Sequence, residues 1–76
     1  MKQIKRIKLH PEEIRPGDML IKDGRKYEIS EAFTRSWCSY FRIWYCTPEG
    51  PRMIDGTYDH QTKFEIETER WIYADN

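Results

Sequence analysis

The sequence predicts an all-β fold: a small, partly open barrel of five to six short antiparallel strands with at most one short helical turn. Three observations predict it. Ile14-Arg15-Pro16-Gly17-Asp18 is a reversal signal, because proline presets the φ that a turn needs and glycine accepts positive φ. Asp23-Gly24 separates apolar Met19-Leu20-Ile21 from Lys26-Tyr27-Glu28-Ile29, and Asp-Gly suits the two left-handed central positions of a tight hairpin turn. Phe41, Ile43 and Tyr45 then recur at alternate positions, which is the period of a strand.

Each element follows in order. Strand one covers Gln3 to Leu9, a mixture of apolar and basic residues with imperfect alternation. Pro11 suits the first position of a short helical turn, with Glu12 and Glu13 beside its N-terminus, and Ile14 tucks under the barrel where that turn ends. Strand two is Met19 to Lys22, and strand three runs from Arg25 to about Phe33 with Tyr27 and Ile29 on one face. Glu31 falls on the apolar parity of strand three, so a bulge or bend is expected there. Thr34-Arg35-Ser36 reads as a loop. Strand four, Trp37 to Cys46, turns Phe41, Ile43 and Tyr45 to one face and Cys38, Tyr40, Arg42, Trp44 and Cys46 to the other.

Thr47-Pro48-Glu49-Gly50-Pro51 is a loop by composition, since its prolines bar a continuing central strand. A short strand around Arg52-Met53-Ile54 leads to a turn at Asp55-Gly56. Lys63 to Thr68 closes the sheet, with Phe64 and Ile66 inward and Glu65, Glu67 and Glu69 outward. Trp71-Ile72-Tyr73 is a last apolar segment, either an edge strand or a cover across the barrel mouth. Strands at this spacing fit an SH3-like, partly open barrel. An OB-like barrel is the competitor, but it asks for a helix between its third and fourth strands, where no helical period occurs.

Seventy-six residues make one domain, residues 1–76. A chain this short buries only about 60% of the surface its unfolded form exposes. Three Trp, five Tyr and three Phe must supply much of that burial, at roughly 150–250 Å² each. Formal charge is zero, which argues against a protein held to nucleic acid by bulk electrostatics. Residues 1–45 carry ten Lys/Arg against six Asp/Glu, and residues 46–76 carry three against seven. A self-paired, solvated surface is the expected outcome of that segregation. The basic N-terminus has no apolar core behind it, so it is not expected to be a signal peptide. No run approaches the roughly 20 apolar residues of a membrane span. The expectation is a soluble cytoplasmic protein, in the host cytoplasm if a virus encodes it. On one strand, Cys38 and Cys46 would lie about 26 Å apart, too far for a disulfide, so they read as reduced thiols.

The order of strand, Pro-Glu-Glu-Ile turn, Arg-Pro-Gly-Asp, apolar strand, Asp-Gly hairpin and Tyr-x-Ile strand over residues 9–30 resembles small uncharacterised β-barrel proteins of bacteriophages, SH3-like with a Pro-Gly-Asp turn. The Pro-Gly-Asp turn also resembles the one that opens a strand in the self-splicing Hint fold. Splicing is not expected, because no nucleophile heads the domain and no histidine precedes the closing Asp75-Asn76. The phage resemblance implies an accessory protein of a phage or mobile element, and no particular activity.

Tyr40-x-Arg42-x-Trp44 is the main candidate site. Alternate residues share a face, so two aromatics flank a guanidinium. That trio can stack a base, hold a phosphate or anchor a protein hot spot. The competing reading has this face packed under Trp71 and Tyr73, with Arg42 snorkelling to solvent. Asp55, Asp59 and His60 fall in one expected loop, where turn chemistry and solvent account for them and no metal set is expected. Lys2, Lys5, Arg6 and Lys8 either meet phosphates or neutralise Glu65, Glu67 and Glu69 across a ladder; the pairing is preferred. No nucleophile–base spacing or phosphate-cradling loop is present, so no enzyme activity and no cofactor are expected.

The sequence therefore predicts a non-enzymatic protein-binding module, an inhibitor or adaptor of a host or viral protein, using Tyr40, Arg42, Trp44, Trp71 and Tyr73 with Lys5 and Arg6. The alternative is a small barrel binding a nucleotide or single-stranded nucleic acid through the same patch. A homodimer through strand one or the Trp71 segment stays open, because a domain this small gains core by pairing.

Overall fold

A computed structural model describes residues 4–69. The chain forms β1 (Lys5–Leu9), a 3₁₀ turn (Pro11–Glu13), β2 (Met19–Lys22), β3 (Arg25–Arg35), a second 3₁₀ turn (Ser36–Cys38), β4 (Tyr40–Thr47), β5 (Gly50–Thr57) and β6 (Phe64–Thr68). All six strands belong to one sheet in the order β1-β6-β2-β3-β4-β5, every neighbour antiparallel. The fold is all-β, and the sheet is open, with β1 and β5 as its edges. No helix among the described residues is long and apolar enough to cross a membrane.

The turns form for the reasons the residues supply. Asp23 and Gly24 both take positive φ, 53° and 75°, and join β2 to β3 with Lys22 opposite Arg25. Gly17, at φ 95°, donates its N–H to the Ile29 carbonyl at 2.8 Å, and Ile29 donates back to Asp18 at 2.8 Å. The Pro-Gly-Asp turn is thus stitched to β3. His10 caps the first 3₁₀ turn: the Glu13 carboxylate accepts from the His10 N–H at 3.0 Å, and the His10 ring accepts from the Glu12 N–H at 3.4 Å.

β3 is the hinge of the sheet. Arg25 to Glu28 pair with β2, and Ile29 to Arg35 pair with β4. The register slips between Ile29 and Glu31, leaving Ser30 as the extra residue of a bulge. Before it Tyr27 and Ile29 face inward; after it Ala32 faces inward and Glu31 and Phe33 outward. The core collects Leu9, Ile14, Leu20, Ile29, Phe41, Ile43, Tyr45 and Ile66 on one face. Ile14 is buried beneath the first 3₁₀ turn and Phe64 packs against the cluster, both as the sequence predicts.

Five expectations are corrected. β4 begins at Tyr40, because Trp37 and Cys38 lie in a second 3₁₀ turn that Ser39 closes with φ 50°. Two single-turn elements therefore occur where the sequence predicts at most one. Thr34 and Arg35 belong to β3 and pair with Phe41 and Tyr40. Gly50 and Pro51 lie within β5, which tolerates a proline because an edge strand needs no donor on its open side. Asp55-Gly56 makes no turn either: Gly56 sits in β5 opposite Phe41, and a Cβ there would stand 3.6 Å from the phenyl ring. The chain reverses later, where the Asp59 carboxylate accepts from the Gln61 N–H at 2.9 Å and the Thr62 hydroxyl at 3.1 Å. Trp71-Ile72-Tyr73, Lys2 and Gln3 lie outside the described residues.

Candidate functional site

The outer face of β3, β4 and β5 is a grid fixed by cross-strand register. Its rows are Arg35, Tyr40 and Thr57; Phe33, Arg42 and Asp55; Glu31, Trp44 and Met53. Arg42 occupies the centre. Its guanidinium carbon lies 5.5 Å from the Phe33 ring centroid and 5.7 Å from that of Tyr40, within cation–π range of both. Arg42 Nε donates to the Tyr40 hydroxyl at 3.1 Å, and that hydroxyl donates to Asp55 Oδ2 at 2.7 Å. Arg35 lies 5.9 Å from the Phe33 centroid on β3. One ring therefore has two guanidiniums beside it.

An open groove of about 480 Å³ runs along this cluster, lined by Phe33, Arg35, Cys38, Tyr40, Arg42 and Thr57. Among the described residues the lining contains two guanidiniums and no carboxylate. Neither Arg35 nor Arg42 is ion-paired to a described residue. Asp55, across the ladder from Arg42, has its closest contact with Tyr40 instead. Trp37 stands 80% exposed on the second 3₁₀ turn, next in sequence to Cys38, and Met53 is also exposed.

Tyr40, Arg42 and Trp44 do share one face of β4. Phe33, Arg35 and Asp55 complete the cluster and were not anticipated. The signal for the first two is the parity break at Glu31: carried past the bulge, it turns Phe33 and Arg35 outward. Lys5 and Arg6 lie on β1, separated from β4 by β6, β2 and β3 in the sheet. Arg6 reaches Glu67 at 3.3 Å and Glu65 at 4.0 Å, and Lys26 reaches Glu67 at 3.0 Å. Ladder pairing of the basic strand with β6 is thus realised for Arg6. Trp71 and Tyr73 lie outside the described residues.

The expected loop of Asp55, Asp59 and His60 is dismantled, because Asp55 sits in β5 and Asp59 closes the turn before β6. Among the described residues no group of three or more His, Cys, Asp or Glu is placed to hold a metal ion. Both cysteines are exposed and unpaired with each other.

A second polar cluster joins the first 3₁₀ turn to the β5–β6 connection. The Tyr58 hydroxyl donates to Glu12 Oε2 at 2.9 Å, the His10 ring packs edge-on against Tyr58 at 5.1 Å, and His10 Nε2 lies 3.0 Å from the Asp59 carbonyl oxygen. Desolvation, and then the Glu12 carboxylate, hold the Tyr58 phenol above its ordinary range, so it stays protonated at neutral pH. Backbone donation from Gln61 and the Thr62 hydroxyl hold Asp59 below its ordinary range. These groups clasp two connections of the fold.

No protein-family model matches the chain, and no curated protein or solved structure matches it.

Proposed function

We propose that this chain is a non-enzymatic protein-binding module that docks a host or viral protein on the outer face of β3, β4 and β5. It acts as an inhibitor or adaptor encoded by a phage or mobile element, in the host cytoplasm. Its scaffold is a partly open SH3-like barrel, a likeness supported by β3 bending at Ser30 to serve both halves of the sheet.

One observation carries the reading: a half-buried cluster of Phe33, Tyr40 and Arg42 on the outer face, held in fixed register on adjacent strands. Arg, Tyr and Trp dominate the energetics of protein interfaces. Side chains already ordered by strand neighbours lose little further freedom when a partner arrives. Exposed Met53 extends the face beside Trp44, and exposed Trp37 stands on the turn that leads into β4.

Capture of a partner from cell extract on the immobilised protein tests the reading. Arg42→Ala and Trp44→Ala are expected to abolish capture while the circular dichroism spectrum is retained. Undiminished capture by both variants would remove this face from the account.

A further inference from the structure

We propose that the groove beside Arg42 takes an acidic side chain, Asp or Glu, from an extended segment of the partner protein. The inference rests on the docking reading and names its chemistry. Charge complementarity carries it: among the described residues the groove lining holds Arg35 and Arg42 and no carboxylate, the neighbouring Asp55 carboxylate is engaged by the Tyr40 hydroxyl, and neither guanidinium is ion-paired to a described residue. A guanidinium stacked on rings is pre-oriented, and its planar donors match a carboxylate in two-point contact. Tyr40 holds Arg42 through Nε, and among the described residues no hydrogen bond engages its two terminal nitrogens, which face the ligand in this proposal. Thr57 and Cys38 line the same groove, and the Thr57 hydroxyl is a further donor within it.

The same geometry disfavours a nucleobase. Binding a single strand relies on open aromatic faces, and here the Arg42 guanidinium lies over both Phe33 and Tyr40. A base stacking on either of those rings from that side must displace it. Zero formal charge also removes the bulk attraction that phosphodiester chains need.

Cys38 supplies the readout, because it lines the groove while Cys46 sits further along β4, opposite Pro51. The full chain is titrated with deca-glutamate, deca-lysine, oligothymidylate and inorganic phosphate, and alkylation of each thiol is timed. Deca-glutamate is expected to slow alkylation at Cys38 and leave Cys46 unchanged. Arg42→Ala and Arg35→Ala, each folded by circular dichroism, are expected to weaken deca-glutamate binding by roughly tenfold or more, the scale of a lost charge-assisted hydrogen bond. Lys8→Ala, on β1, is expected to bind as the parent does.

Equal weakening by Lys8→Ala would reduce the effect to general charge and overturn the proposal. Protection of Cys38 by oligothymidylate or phosphate as strong as that by deca-glutamate would also overturn it. So would the absence of any protection. If deca-glutamate fails while partner capture still depends on Arg42 and Trp44, the acidic occupant falls and the docking reading stands.

Discussion

Asp18 is 2% exposed, yet both its carboxylate oxygens are satisfied. Oδ2 accepts from the Arg15 N–H at 3.0 Å and Oδ1 from the Thr68 hydroxyl at 2.9 Å, so one side chain closes the Pro-Gly-Asp turn and ties it to the end of β6. Asp18→Ala withdraws both acceptors and is expected to cost roughly 1–3 kcal/mol. Asp18→Asn keeps one acceptor oxygen and is expected to lose less. Urea denaturation of the three proteins checks this, and equal midpoints would show that the carboxylate does not hold the turn. The turn itself was legible because its chemistry is local: proline, glycine and aspartate act on adjacent dihedrals. Thr68 was not legible as a partner, since it lies fifty residues along the chain and only the sheet order brings it near.

At the scale of elements, alternation carried across a strand was readable and interruptions of it were not. The inner face of β4 follows from Phe41, Ile43 and Tyr45, and with it the outer position of Tyr40, Arg42 and Trp44. Half of the candidate site was therefore visible in one strand. Phe33 and Asp55 needed the neighbouring registers, and the bulge at Ser30 reverses the parity on which Phe33 would otherwise be placed. Pro51 misled for a related reason, because a proline excludes a central strand and not an edge strand, and edge position is a property of the whole sheet. The seam of β1, β6 and β3 allows a test. The Lys26 hydrogen bond, with its charge and Arg6, holds the Glu67 carboxyl below its ordinary range. A carboxylate with a lowered folded pKa stabilises the fold above the unfolded value of about 4.3 and loses that contribution as pH falls through the folded value. Melting temperatures measured from about pH 6 down to about pH 3 are expected to fall less steeply for Glu67→Gln than for the parent. Parallel curves would show that the seam's ion pairs do not contribute.

Across the whole molecule the apolar cluster lies on one face of the sheet and the proposed docking residues lie on the other. The inner face carries the apolar cluster that stability depends on; a domain of this size is worth only about 0.05–0.15 kcal/mol per residue, so little can be lost there. Substitutions at exposed positions such as Arg35 move stability by about 0.5 kcal/mol or less. Ile66 is fully buried where β6 meets both β1 and β2. Arg35 is exposed at the far side of the sheet and touches Phe33 from one side. Ile66→Val is expected to cost about 0.5–1.5 kcal/mol, and each kcal/mol lowers the melting temperature by about 4–8 °C in a domain of this length. Partner capture below the transition should be unchanged by it. Arg35→Ala should do the reverse, leaving the melting temperature within a few degrees and weakening capture. Calorimetry and capture on the same two preparations decide the point, because a protein whose binding face is also its core would show both losses together in both variants.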